Sequence, residues 1–277
     1  TIRGAPNTCK ICVKGRMREL LKADLGKPSQ RRMYKAISVL SLLLRVLVGL
    51  WGHSGKGIPP MFGDFEAQRH WLEVTVNLPV SDWYRDTKDN DLQYWGLDYP
   101  PLTAYTSWGF GKLAQVVHPD MVALHSSRGS EDVCTVLLMR LSVLLLDTLV
   151  FFPAVLWLFG ALGDANPKYL LLSLLSPALV LIDHGHFQYN STCIGLALGA
   201  VYLLDCDAFV LGSLLFCLSL NFKQMALYYA PVFFFSLLGR CKDYYYLASP
   251  AAAIRLFLKL AATVVGVFAV LWGPFCI

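Results

Sequence analysis

The chain has 277 residues, of which 56% are apolar and 16% charged, with a mean hydropathy of +0.49. That balance excludes a disordered chain, a coiled coil, a fibrous protein and an ordinary soluble domain, whose charged share is about 25%. The apolar residues come in blocks and not in alternation, which argues against an outer-membrane barrel and for an all-α polytopic membrane protein.

Residues 1–35 hold ten Lys or Arg and two acids, a net of +8 against +5 for the whole chain. An apolar block follows at 36–51, interrupted by Arg45, and then a loop at 52–132 with six basic and eleven acidic residues. The positive-inside rule puts the arm in the cytosol and the loop across the bilayer. Nucleic acid is the rival partner for a basic arm; a polytopic body argues against it, and no nucleic-acid partner is expected. The polar arm ahead of the first apolar block also gives no expectation of a cleavable signal peptide.

Within the loop, 65–78 reads as an amphipathic helix, with Phe65, Leu72 and Val76 on one face and Glu66, Arg69, His70 and Glu73 on the other. Such a helix is expected to lie on the membrane or against the bundle. A second helix is expected to start at Tyr99-Pro100-Pro101, because Pro suits a first turn. Six further apolar blocks lie at 137–162, 169–182, 192–204, 208–220, 225–238 and 256–277. Several cores fall short of the ~18–20 residues of a standard span. Their Tyr, Trp, Asn and Gln ends, however, tolerate the interface. The expected organisation is a basic cytosolic arm 1–35, a first span 36–51, a lumenal loop 52–132 and six more spans in 133–277.

Of eight cysteines, Cys193, Cys206, Cys217 and Cys276 lie in or beside apolar blocks and read as packing residues. Cys9 and Cys12 form a lone CxxC, too little for zinc.

Four polar clusters stand out: 63–71 (GDFEAQRHW), 92–103 (LQYWGLDYPPLT), 183–190 (DHGHFQYN) and 221–224 (NFKQ). Alternation of the spans places all four on the lumenal side, and ionisable residues at membrane depth are costly and usually functional. Each has a plainer reading beside it. Asp64 is either a helix N-cap or a base, and Asp98 a turn residue or a site carboxylate. Asp183, His184 and His186 are either a metal site or the polar end of a span. Lys223 is either a site cation or a snorkelling one. Arg140 and Asp147, seven apart, read as a structural polar stripe. The pairs Asp89/Asp91 and Asp205/Asp207 match a DxD pattern too short to weigh, and the sequon at Asn190 abuts a span.

In this order the clusters GDFEAQRHW, LQYWGLDYPPLTAY, DHGHFQYN and NFKQMALYYAP resemble one family. They are similar to the endoplasmic reticulum glucosyltransferases that use dolichyl-phosphate glucose to extend the lipid-linked N-glycan precursor. The resemblance covers roughly 42–274. The runs Ala67-Gln68-Arg69-His70, Trp95-Gly96-Leu97 and Lys223-Gln224-Met225 look like the branch that adds the first glucose to the nonamannosyl glycan. The related branch adding the second glucose stays open.

The resemblance implies a GT-C-type bundle with a long first lumenal loop, in a multi-pass endoplasmic reticulum protein whose N-terminus is cytosolic. Its partners would be dolichyl-phosphate glucose, a dolichyl-diphosphate-linked oligosaccharide and membrane lipid, with no metal and no cofactor. Asp64 matches the family's acidic catalytic position and Asp98 its second acidic motif. The substrate-binding candidates are Asp98, Arg69, His70, Tyr99, His186, Gln188, Lys223 and Gln224. For the departing phosphate the order of preference is Arg69, His186, Lys223. The arm 1–35 does not resemble the family's usual short start, and a later His-Glu-Lys motif is missing, so the chain is expected to be an N-terminal fragment, with or without activity of its own. A transporter is the alternative from another class; it predicts broken helices with polar groups at the bilayer midplane.

Overall fold

The first described helix, α1 (Pro28–Gly49), wears its apolar residues outside. Tyr34, Ile37, Ser41 and Arg45, spaced by three or four residues, are buried, while Val39, Leu43 and Leu47 are exposed. Such a helix suits lipid, with Arg45, the cation of its apolar stretch, turned inward. The computed structural model describes residues 28–161 and 167–276. The Cys9/Cys12 pair, most of the basic arm and most of the connection expected at 164–168 lie outside the described residues.

Helices α2 (Gly63–Asn77) and α3 (Pro101–Val117) organise the segment 52–132. Pro101 opens α3 as the sequence predicts. Next, α4 (Val133–Leu146) runs through a π-helical stretch, Asp147–Phe151, into α5 (Phe152–Ala161). Asp132 caps α4 by accepting from the amides of Cys134 and Thr135. After α6 (Pro167–Leu174) and the short α7 (Pro177–Leu179), a second π-helical stretch covers Val180–Phe187. Helices α8 (Asn190–Asp205) and α9 (Phe209–Phe222) form a hairpin. A 3-10 segment, Gln224–Tyr229, leads to α10 (Ala230–Leu247), and α11 (Pro250–Trp272) closes the bundle. No strand occurs among the described residues.

Among the described residues, three runs are long and apolar enough to cross a membrane: Val133–Phe159, Pro167–Phe187 and Pro250–Phe275. Helices α8 and α9 are apolar but shorter. The protein is thus an all-α polytopic membrane protein. One apolar cluster, with Phe65, Met121, Met139, Phe187 and Phe222, ties α2 and the loop to the spans. Another, with Tyr34, Ile37, Phe151, Phe152, Leu170 and Leu174, fills the space where α1, α5 and α6 meet. Helix α8 approaches the π-helical stretch so closely that a Cβ on Gly195 would stand 2.7 Å from the Phe151 Cα.

Four expectations change. Helix α1 runs through the boundary drawn at residue 35, so the end of the basic arm is its first turns. Asp183–Phe187, read as a connection, is helical and of π type. The sixth block is displaced: α10 begins at Ala230, with Pro231 in its first turn, and continues through Arg240 and Asp243, which pair at 3.9 Å along the helix. Finally, the polar face of α2 is not solvated. Glu66, Arg69, His70 and Glu73 are all buried, because Met121 and the turn Ser127–Arg128 close over them.

Candidate active site

The site begins with how α2 starts. Phe62 has a left-handed backbone, φ 54°, and Gly63 follows at φ 67°. A Cβ on Gly63 would stand 2.8 Å from the Gly55 amide nitrogen, so only glycine lets the turn at 53–57 close on the helix start. Ser54 Oγ accepts from the Phe65 amide at 3.3 Å, and the Ser54 amide donates to the His186 carbonyl at 3.0 Å. The helix N-terminus is thereby fastened to the π-helical stretch Val180–Phe187. The residue flanking α2 is Phe62, which makes no capping bond, so Asp64 is not an N-cap.

Asp64 instead reaches across to the second polar cluster. Its Oδ2 accepts from His186 Nε2 at 2.9 Å and from Gln188 Nε2 at 2.7 Å. Oδ1 accepts no hydrogen bond among the described residues. The Asp64 side chain is 38% exposed and that of His186 51%, so the pair is open at the surface. Gln188 is a bridge: its Oε1 accepts from Lys223 Nζ at 3.1 Å and from the Tyr99 hydroxyl at 3.3 Å. Lys223 Nζ also donates to Asn190 Oδ1 at 2.7 Å and stands 4.7 Å from the centre of the Tyr99 ring. Gln224 donates to the Asp98 carbonyl at 2.8 Å, bringing the fourth cluster against the second. Burial pushes the Asp98 carboxyl above the usual carboxylate range; Lys223 opposes that rise and Asp64 adds to it.

Segments 120 residues apart in sequence thus converge: Asp64, Asp98, Tyr99, His186, Gln188, Lys223 and Gln224 share one face. Asn190 belongs with them and was overlooked. Its place at the end of DHGHFQYN was the available signal, masked by its reading as a sequon.

Arg69 and His70 do not join that face. The Arg69 guanidinium is fully buried and donates to Glu66 at 2.6 and 2.7 Å, to Glu73 at 2.7 Å, to the Met121 carbonyl at 2.8 Å and to Ser127 at 2.7 Å. Tyr94 donates to Glu66, and the His125 amide to Glu73, at 2.9 and 2.7 Å. His70 Nδ1 lies 3.2 Å from Glu73. Burial alone would raise the Glu73 carboxyl; the His70 bond and the Arg69 charge outweigh it and hold it at about 2. This is a closed network in which every charge has its answer.

The remaining candidates disperse. Asp183 accepts from the amides and side chains of Asn190 and Ser191 at 2.6–3.1 Å, so it caps α8. His184 bonds Asp147 at 2.9 Å, and His186 bonds Asp64. Asp183, His184 and His186 therefore point to three different partners. Asp147 is also paired with Arg45 at 2.6 Å, not with Arg140. Arg140 donates to the carbonyls of His184 and Gly185. Among the aromatics, Trp71 and Tyr189 are buried, bonding the Trp95 carbonyl and Ser142, while Tyr99 and Trp95 are partly exposed.

A carboxylate anchored through one oxygen, with the other free and a lysine bridged to it by a neutral amide, is equipped to take a proton beside a bound anion. Residues 41–277 match the model of the ALG6, ALG8 glycosyltransferase family. The chain is 50% identical over 243 residues to a Rattus norvegicus protein named dolichyl pyrophosphate Man9GlcNAc2 alpha-1,3-glucosyltransferase, covering 86% of this chain and 47% of that protein. A Gallus gallus protein of the same name is 50% identical over 242 residues, with the same shares covered. A Caenorhabditis elegans protein named as a probable enzyme of that kind is 40% identical over 273 residues, 98% of this chain and 53% of its own length. That last match reaches into the arm 1–35, which the sequence analysis set apart from the family. The chain spans about half the length of the curated relatives it matches. With its family model matched from residue 41 to the end, the chain belongs to the ALG6, ALG8 glycosyltransferase family.

Proposed function

We propose that this chain carries the base-bearing half of an inverting glucosyltransferase. The donor is dolichyl-phosphate glucose, and the acceptor is the terminal mannose of the nonamannosyl dolichyl-diphosphate oligosaccharide. The new bond is α-1,3. The observation that carries this reading is the Asp64 carboxylate, 38% exposed, with Oδ2 held by His186 and Gln188 and Oδ1 unbonded among the described residues. The names of these relatives, all Man9GlcNAc2 enzymes, favour the first-glucose reaction over the second.

A β-linked donor and an α-linked product require one direct displacement. The acceptor hydroxyl is a weak nucleophile and needs a base, which is worth ~10²–10⁴ in rate. The leaving group is a phosphate and needs no acid, unlike the sugar alkoxide that glycoside hydrolases must protonate. One carboxylate therefore suffices. Asp64 takes the acceptor proton on Oδ1 while the donor's anomeric carbon passes from phosphate to hydroxyl oxygen. The developing phosphate charge is met by Lys223 and His186, which reverses the earlier ranking, since Arg69 is committed to Glu66 and Glu73. Asp98 and Tyr99 border the acceptor side. The membrane is that of the endoplasmic reticulum, with the arm cytosolic and this face lumenal, because the basic arm and the acidic loop flank the first helix.

The test is glucose transfer in cells lacking the first-glucose activity, read by sizing the lipid-linked glycan. The 277-residue chain is assayed alone and joined to the C-terminal half of a relative. One added glucose in the joined form, abolished by Asp64→Asn, supports the reading. No transfer in those cells, but transfer by their membranes to an added monoglucosylated acceptor, assigns the second-glucose reaction. Unimpaired transfer by folded Asp64→Asn removes Asp64 as the base.

A further inference from the structure

A second site has none of the residues that converge on Asp64 in its lining. Between the C-terminal end of α1 and the side of α4 runs a groove of about 340 Å³. Its walls include Leu50, Trp51, Leu137 and Leu141, all exposed at the outer surface of the bundle. Its polar lining is Arg140, His53, Lys56 and Glu131, with Arg45 and His184 also on the wall.

The charges in the groove do not cancel internally. Arg45 is answered by Asp147, which also holds His184. Arg140 is not answered: among the described residues no carboxylate lies within 4.0 Å of it, and its bonds go to the carbonyls of His184, Gly185 and Trp51. Its Nε is buried without a hydrogen-bond partner among the described residues. A cation on a membrane helix without a counter-charge is expensive, and such residues usually face a ligand or a polar pathway. Lys56, exposed at the same end, adds a second positive charge. Glu131 adds a negative one: both its oxygens accept from the Gly57 amide at 3.0 Å, and His53 stands 3.7 Å away. Two of its roughly four lone-pair positions remain.

We propose that this groove holds one zwitterionic glycerophospholipid, its phosphate on Arg140 and Lys56 and its amine facing Glu131. The charge pattern selects this occupant. Guanidinium and phosphate make the strong, charge-assisted pairing. An anionic lipid without an amine would leave Glu131 facing like charge, and a phosphate-free lipid would leave Arg140 unanswered. The apolar wall receives an acyl chain directly from the bilayer, which supplies the lipid at high local concentration.

The experiment is native mass spectrometry of the 277-residue chain released from nanodiscs of equal parts phosphatidylethanolamine, phosphatidylglycerol and diacylglycerol. The chain is expected to retain one phosphatidylethanolamine in preference to the other two. Leu137→Trp, at an exposed wall position whose change does not threaten the core, fills the groove and abolishes retention. Glu131→Gln removes the partner of the amine and cuts the preference for phosphatidylethanolamine over phosphatidylglycerol about fivefold, the worth of one charge near a lipid headgroup. Lys56→Gln weakens retention of both phospholipids and leaves diacylglycerol unchanged. Equal retention of diacylglycerol, a preference for phosphatidylglycerol, or undiminished retention in Leu137→Trp would overturn the proposal.

Discussion

Helix α2 carries two groups of ionisable side chains within three turns of each other, and they live in opposite surroundings. At its start Asp64 is open, bonded through one oxygen to residues more than 120 positions away. Further along, Glu66, Arg69 and Glu73 are sealed, bonded through every available donor to each other and to the loop that covers them. One stretch of sequence thus builds the open carboxylate proposed as the base and the buried network that follows it. The difference is not residue type but whether a neighbour has cancelled the charge. An uncancelled charge beside solvent is available for chemistry; a cancelled, buried one is available only for structure.

The sharpest way to break this comparison is to change one member of each group. Asp64→Asn is expected to lower glucose transfer by ~10²–10⁴ while leaving the thermal unfolding midpoint in detergent unchanged. Arg69→Met should do the reverse. It leaves Glu66 and Glu73 buried without their cation, a loss of about 3–5 kcal/mol for breaking a buried pair. The folded fraction, measured by detergent-solubilised thermal unfolding, should fall, and transfer per folded molecule should hold. If Arg69→Met instead loses activity at full stability, the network belongs to the site and the division fails.

A third change tests the cation assigned to the open face. Lys223→Gln keeps the bridge to Asn190 by hydrogen bonding but removes the charge. Losing one electrostatic partner of a developing anion costs about 10²–10³ in rate, so transfer should drop by that order at an unchanged unfolding midpoint. A comparable drop from Arg69→Met per folded molecule would restore Arg69 as the phosphate partner.

How much of this was legible in the sequence follows from the physics of each signal. The apolar blocks gave most of the long helices, because lipid-facing surface must be continuous. Pro101 marked its helix start, because a missing N–H costs nothing in a first turn. The convergence of four polar clusters was readable by counting spans, and His186, Gln188, Lys223 and Gln224 do meet Asp64 and Asp98. The polar face of α2 misled. Its period is that of a solvated face, and nothing local in Glu66, Arg69, His70 and Glu73 announces that Met121 and Ser127 will cover it. Glu66, Arg69 and Glu73 satisfy each other in one sealed volume, which hydropathy does not see. Helix α10 was misplaced for a simpler reason. The apolar run begins at Met225, but Pro231 delays the regular helix, and Arg240 to Asp243, read as a loop, are helical.

The smallest expected effect concerns acid, and it separates the two groups without any mutation. The Glu73 carboxyl is held at about 2 in the fold, against ~4.3 for an unfolded glutamate. A carboxyl with a depressed folded value adds stability that is complete above the unfolded value and is lost as pH falls toward the folded one. Between pH ~7 and ~5 the Glu73 carboxyl therefore contributes a constant amount, and the unfolding midpoint should owe no slope to it; its loss begins below about 4 and runs down toward about 2. Asp98 behaves in the opposite sense. Burial raises its carboxyl, so it takes up a proton before an ordinary aspartate would, and protonation relieves rather than costs the fold. On acidification the charge of the open face should thus change first, while the clamp holds. Transfer rate and unfolding midpoint followed over the same pH series are expected to part company, activity declining where stability is level or, through Asp98, slightly rising. A midpoint that falls in step with activity above pH ~5 would mean that the buried network titrates with the site, and that the two regions of α2 are one.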